Sequence, residues 1–242
     1  MPKIKSDHNA FVLHYRPFKE NQLLVDLLTE TEGKISALVF VGQSNRSIKK
    51  GLIQPFVPLI CSFKDNNTTL KQIVSVETSA QSYALTKDYL FSGFYLNELL
   101  FRLLNNDIAC EDLFKHYQST LCSLSKCLPI AAQLRNFELS LLSELGLSLD
   151  FSPVLNEVND KVVGYYYEAE QGFVPAYDYS VNSISTPWFQ TQHLQTIAHY
   201  IDRDKVLNNK AVEHTFKLLM RSIFNHLLDG KPLNSRKLFA KK

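Results

Sequence analysis

The sequence predicts an α+β protein: a small closed β-barrel of five strands in residues 1–80, then a mainly α-helical domain in residues 81–242 with a small β-hairpin region inserted at 147–187. Three observations predict it. Residues 8–78 alternate apolar and polar in five short runs separated by turn residues. After Ser79 apolar residues recur at three-to-four spacing. Between 147 and 187 that helical period is lost again.

The first run, HNAFVLHYRPF, puts Phe11, Leu13 and Tyr15 on one face. After Lys19-Glu20-Asn21, QLLVDLLTET puts Leu23, Val25, Leu27 and Thr29 on one face and Leu24 and Leu28 on the other. The turn Thr31-Glu32-Gly33 leads into GKISALVFVG, where Ile35, Ala37, Val39 and Val41 alternate and Gly42 breaks the strand. A polar, basic loop follows with Arg46, Lys49 and Lys50 among Ser44, Asn45 and Ser47. The chain is expected to return as an apolar strand through Gly51, Leu52, Ile53 and Phe56, punctuated by Pro55 and Pro58. IQPFVPLICSFK and DNNTTLKQIVSVET complete the set, with Asp65-Asn66-Asn67 as a hairpin turn. Five such strands fit an OB-fold, an SH3-like barrel or part of a sandwich, and the pattern does not choose among them.

From Leu85 the residues Tyr89, Leu90, Phe94, Leu96, Leu99, Leu100, Leu103 and Leu104 describe an amphipathic helix ended by Asn105-Asn106-Asp107. A second helix carries Leu113, Tyr117, Leu121 and Leu124 on one face. Pro129 opens a third, with Leu134, Phe137, Leu141, Leu142 and Leu145 aligned and Gly146 at its C-terminal cap. Val162, Tyr165, Tyr166 and Tyr167, then Phe173 and Val174, form the hairpin strands. Thr186-Pro187 reads as the start of a helix through WFQTQHLQTIAHYI. A last helix aligns Phe216, Leu219, Ile223 and Leu227 before Gly230 and a basic tail.

With 45 % hydrophobic and 21 % charged residues in 242, the composition is that of a globular protein rather than a disordered one. No run of roughly 18 apolar residues predicts a membrane span. The N-terminus has no apolar core of a secretory signal. Four cysteines (Cys61, Cys110, Cys122, Cys127) are too few for a disulfide scaffold and read as reduced thiols of a cytosolic protein. The net charge of +2 conceals an asymmetry. Residues 1–80 carry +3, residues 81–200 carry −7 and residues 201–242 carry +6. If the basic ends fold near each other, they make one positive face on a nearly neutral protein.

No catalytic set is visible. There is no phosphate-binding glycine loop and no G-x-S-x-G elbow. The seven histidines are scattered, and His193 and His199 are six apart, off the spacing of helical metal ligands. Cys122 and Cys127, five apart on a helix, point to different faces. The carboxylate pairs Glu111-Asp112 and Glu168/Glu170 sit in cap and turn contexts.

The basic ends carry more. Cations among small hydroxyl and amide residues suit a phosphate backbone, although an ordinary surface loop has the same composition. Arg16, Lys19, Lys34, Arg46, Lys49, Lys50 and Lys71 lie on or beside turns of the barrel, and Tyr15, Phe18 and Phe40 interleave with them. Aromatic rings beside cations can stack bases. Phe40 is expected in the core, while Tyr15 and Phe18 have both readings open. Arg203, Lys205, Lys210, Lys217 and Arg221, then Arg236 and Lys237, form the C-terminal basic set; a solvated helix face explains some of them. On the third helix, Arg135 sits beside Phe137, Leu139 and Leu142. An arginine at the rim of an apolar groove can receive an acidic, hydrophobic peptide; plain helix packing with one exposed arginine is the bland alternative.

Several blocks, in order, resemble the RecO family of bacterial recombination mediators. They are AFVLHYRPF with the following leucine-rich strand, the Gly42–Gly51 loop with Leu52 to Leu59, Ser92 to Leu100, Leu134 to Leu142, and Gly230 to Phe239. The resemblance spans nearly the whole chain and is nearest the gammaproteobacterial form. It implies that the barrel is an OB-fold nucleic-acid-binding domain and that the chain is not an enzyme. It also implies a cytoplasmic, nucleoid-associated protein that binds single- and double-stranded DNA and anneals complementary strands. Its partners would be RecR, the C-terminal tail of single-strand-binding protein, and functionally RecA, which it helps RecR load. The tail contact would map onto the Arg135 helix. Many members of the family carry four cysteines as a zinc module after the third helix. Here Leu147 to Phe173 contain no cysteine, so no zinc or other cofactor is expected and packing of Tyr165, Tyr166, Tyr167 and Phe173 should hold the region. A different class of function stays open: an adaptor that docks partner tails, its charges serving only solubility.

Overall fold

The computed structural model describes residues 7–42, 48–64, 70–157, 161–177, 187–203 and 207–239. Two compact units emerge: residues 1–130 together with 233–242, and residues 131–232.

The first unit is built on strands β1 (His8–Lys19), β2 (Gln22–Thr29), β3 (Gly33–Phe40), β4 (Leu59–Lys64) and β5 (Lys71–Thr78). They close into a barrel in the order β1-β2-β3-β5-β4, with β3 and β5 parallel and the other pairs antiparallel. This is the OB-type arrangement among the three open to the sequence. Alternation puts Val25, Leu27, Ile35, Ala37, Val39, Leu59, Cys61 and Phe63 inside, all essentially buried. The Asp65–Asn67 turn and residues 43–47 lie outside the described residues.

The expected strand through Leu52 to Phe56 is not formed. Ile48–Leu52 is a short helix, α1, and Ile53 turns inward beneath it at 0 % exposure. Pro55 and Pro58 supply no N–H to a ladder, so β4 starts only at Leu59.

Helices α2 (Lys87–Leu103) and α3 (Glu111–Ser125) belong to the barrel unit. On α2, Leu96, Leu99 and Leu100 are buried; on α3, Leu113, Tyr117, Leu121 and Leu124 are. Between Ala10 and Leu13, β1 is buried on both faces: Ala10 and Val12 fill the barrel, while Phe11 turns outward onto Phe114 and Tyr117, ring centroids 5.4 and 5.2 Å away. A bulge between Val12 and His14 disturbs the ladder here. The Asn97 amide on α2 donates to the carbonyls of Val12 and Leu13, each at 3.2 Å, and accepts the Tyr117 hydroxyl at 2.5 Å. Burial pushes that phenol far above its ordinary range.

The C-terminal segment returns to this unit. Leu233 and Ser235 are buried, and α8 (Arg236–Phe239) follows. The Glu98 carboxylate on α2 accepts the backbone N–H groups of Asn234 and Ser235 and the Ser235 hydroxyl at 2.7–2.9 Å. Phe239 meets Phe91 edge-on at 5.5 Å.

In the second unit, α4 (Ile130–Glu144) buries Phe137, Leu141 and Leu142. It ends at Gly146, φ +71°, where Leu147 N–H reaches Leu142 O and Gly146 N–H reaches Ser143 O, the paired bonds of a Schellman motif. After the short α5 (Ser152–Leu155) come β6 (Gly164–Glu168) and β7 (Gly172–Ala176), the expected hairpin. Tyr165, Tyr166 and Phe173 are buried and Tyr167 half-buried, with the Phe151 ring tilted against Phe173 at 4.8 Å between centroids, so aromatic packing holds the region. The helix expected to run from Pro187 begins later. Trp188–Gln190 form β8, a third strand on the free edge of β6, and α6 starts at Thr191 and runs to Arg203. Helix α7 (Lys210–Leu227) completes the unit, capped by the Asn209 side chain on Ala211 and Val212 N–H, with Phe216, Leu219 and Ile223 buried.

Candidate nucleic-acid interface

Alternation that fills the barrel also decides what its outside presents. Paired outward positions run across the strands as rows: Lys19–Gln22–Phe40, then Arg16–Leu24–Leu38 continuing to Gln72 on β5. Val39 pairs with Ile73, so Val74 extends the first row beside Phe40. Leu24 and Leu38 are half-buried and make an apolar floor, while Phe40, 55 % exposed, stands at the edge. The core position expected for Phe40 is therefore wrong. The alternation of Ile35, Ala37, Val39 and Val41 is itself the signal that places residue 40 outside.

Phe18 and Tyr15 are also exposed, at 48 and 38 %. Phe18 is the extra residue of a second bulge, between Pro17 and Lys19, and the Lys19 ammonium lies 5.7 Å from its ring centre. A shallow, open depression of about 540 Å³ is lined by Lys19, Glu20, Asn21, Gln22 and Phe40. On the other side of Phe40, the Lys49 ammonium of α1 donates to the carbonyl of Val74 at 3.1 Å. Lys50 and Arg16 are exposed. Arg46 lies outside the described residues.

Two cations of the expected set are engaged elsewhere. Lys34 donates to the Phe101 carbonyl at 2.9 Å and sits over the Phe101 ring. Burial pushes its ammonium below the usual lysine range, against the pull of Asp26. Lys71 is half-buried, ion-paired with Glu32 and over the Phe63 ring at 5.7 Å. Both hold the barrel unit together.

The C-terminal basic set divides. Arg236, half-buried, and Lys237, exposed, belong to the barrel unit, whereas Lys210, Lys217 and Arg221 are exposed on α7 of the second unit. Lys205 and the Arg203 side chain lie outside what is described.

The peptide-binding set on α4 changes character. Phe137 and Leu142 are core, each 1 % exposed, and cannot line a groove; Leu139 is half-buried. The Arg135 side chain, 11 % exposed, bonds the fully buried Glu138 carboxylate at 2.5 Å, and its buried Nε has no hydrogen-bond partner among the described residues. Arg135 is thus no freely exposed rim arginine. Its charge nevertheless reaches α7. Burial first, then the neighbouring Arg221 and Arg135 charges, push the Lys217 ammonium below its usual range. Lys217 and Arg221 are the exposed cations of this group, whereas the Arg135 charge is met by the Glu138 carboxylate.

Among the described residues no group of three or more His, Cys, Asp or Glu is arranged to hold a metal ion, and no helix is long and apolar enough to cross a membrane.

Residues 3–82 match the family model described as Recombination protein O N terminal, and residues 87–181 the one described as Recombination protein O C terminal. The chain is 34 % identical over 241 residues to a DNA repair protein RecO of Psychromonas ingrahamii, covering 97 % of this chain and 98 % of that one. It is 37 % identical over 237 residues to the DNA repair protein RecO of Cellvibrio japonicus, with 96 and 95 % covered. With that of Haemophilus influenzae the identity is 34 % over 233 residues, covering 96 and 94 %.

Proposed function

The chain belongs to the RecO family of DNA repair proteins, and from that premise we propose that it binds DNA on the outer face of its barrel and anneals complementary single strands without a catalytic step. The observation that carries this reading is the row of Lys19, Phe40 and Lys49 on an otherwise ordinary β-surface. Annealing asks little else of a protein. A cationic surface reduces the repulsion between two phosphate backbones and holds the strands close together. The same reading makes it a cytoplasmic, nucleoid-associated helper of RecR in loading RecA onto DNA covered by single-strand-binding protein. Neither metal nor cofactor enters.

Anisotropy of a labelled single-stranded oligonucleotide across a salt series tests it. The wild-type protein should give a negative log–log slope equivalent to several phosphates. Charge reversal of Lys19, Lys49 and Lys50 to glutamate should weaken binding across all sequences by about tenfold or more and reduce the slope by about 0.7 for each phosphate no longer neutralised. Unchanged affinity and slope would remove this face from the reading.

A second reading, docking of the acidic tail of single-strand-binding protein, is supported by the exposed Lys217 and Arg221 side chains four residues apart on α7. Arg135→Ala is a poor test, because it takes the cation from the buried Glu138 carboxylate at a cost of about 3–5 kcal/mol in stability. Exposed Arg221 is the better target. Arg221→Ala should weaken binding of an acidic, Phe-ending peptide by about fivefold in calorimetry and leave DNA binding on the barrel intact. An unmoved peptide affinity would return α7 to ordinary surface.

A further inference from the structure

A phenyl ring that is 55 % exposed serves neither the core nor solubility. Phe40 is the last residue of β3, held by backbone pairing to Gln22, so its ring is presented from a rigid strand rather than from a loop. Two strand spacings away, roughly 10 Å, the same row reaches Lys19, and both line one depression. On the opposite flank, Lys49 is tied to the backbone of Val74, the position beside Phe40. The order across the sheet is cation, ring, cation. A duplex offers phosphates to such a surface but keeps the faces of its bases stacked inside. Only an unpaired base can lie on the ring while its flanking phosphates meet the two lysines.

We infer that Phe40 is a base-stacking platform that gives the barrel its preference for unpaired bases over duplex, with Lys19 and Lys49 taking the phosphates on either side. The inference rests on the DNA-binding reading above and adds to it the class of nucleic acid selected. Annealing then follows a simple order: a base held on Phe40 keeps its pairing edge free for a complementary strand, and the new duplex, unable to stack on the ring, leaves with a weaker hold.

The test compares Phe40→Ala with the wild-type chain on three probes of equal length: a single strand, its duplex, and an abasic strand that keeps the phosphates and lacks the bases. Phe40→Ala should weaken binding to the single strand by about tenfold, within the range of one base–aromatic stack, and change duplex and abasic binding by less than about twofold. Phe40→Trp should retain single-strand affinity, and its indole emission, read against the wild-type background from Trp188, should be quenched by the single strand and not by the abasic one. Equal losses of Phe40→Ala on all three probes, or no loss on the single strand, overturns the inference while leaving DNA binding in place. A wild-type protein that binds none of the probes overturns the DNA-binding reading and this inference with it.

Discussion

Gly33→Ala is expected to destabilise the barrel unit by about 3 kcal/mol or more, a large share of the stability of a domain. Gly33 opens β3 at φ +67°, where an alanine costs about 1 kcal/mol for its side chain alone. The larger part is collision. A Cβ at this position would run into the backbone carbonyl of Ile108, an atom that cannot swing aside. The loop after α2 is held against the strand by Asp107 N–H to Lys34 O at 2.9 Å and a bridge between Lys34 and Asn106. Relieving the overlap must break that attachment. Urea unfolding measures the loss as a lowered midpoint. Gly172→Ala is the control, since Gly172 has the same sign of φ, +75°, and nothing within 4 Å of its Cβ. It should lose only the conformational part. Equal losses in the two variants would mean that the loop yields to the added methyl.

Asn97→Ala should cost about 3 kcal/mol for a different reason. Three buried groups converge on one amide: the Val12 and Leu13 carbonyls, freed from regular pairing by the bulge, and the Tyr117 hydroxyl. Asn97 is 3 % and Tyr117 0 % exposed, so no bulk water replaces what is removed. Leaving a buried group without its partner costs about 1–3 kcal/mol each, and relaxation around the hole recovers part of the total. Tyr117→Phe removes the hydroxyl bond to Asn97 and should cost about 1.5 kcal/mol. Because both variants break the same bond, their effects should add to less than the sum in the double variant. A change below about 1 kcal/mol for Asn97→Ala would show that the bulge carbonyls find other donors.

How far these features can be read from the sequence depends on the range of the interaction behind them. Period-two alternation is local, so the barrel strands and the inner set of β3 are legible, as are the apolar faces of α3 and α7 and the Gly146 cap. Phe40 sets residue type against alternation: an aromatic suggests the core, although its parity puts it outside. The helix at Ile48–Leu52 is hidden by the leucine and isoleucine content of the segment, while the decisive signal is Pro55 and Pro58. Strand β8 is not legible at all. Trp188–Gln190 pair with β6 more than twenty positions earlier, and the Thr-Pro dipeptide in front imitates a helix start. The same holds for charge. Lys34 and Lys71 look like surface cations because Phe101 and Glu32 cannot be assigned to them before folding; Arg135 and Glu138 are three apart on one helix, so their pairing is legible from spacing, but the complete burial of Glu138 is not. What remains on the barrel surface is Lys19, exposed beside Phe40, with Lys49 held to the Val74 carbonyl on the other flank and Arg16 and Lys50 also exposed.

The return of residues 233–239 to the barrel unit sets the timing of biogenesis. Glu98 is synthesised early, but the Asn234 and Ser235 amides that satisfy it lie 136 and 137 residues further along the chain. The barrel and its two helices therefore emerge with Glu98 and the Leu233 site uncovered, and wait through the whole of residues 131–232 before they are closed. Any premature stop within α7 would release a nascent chain whose second unit is nearly complete and whose first unit is the one left unsealed.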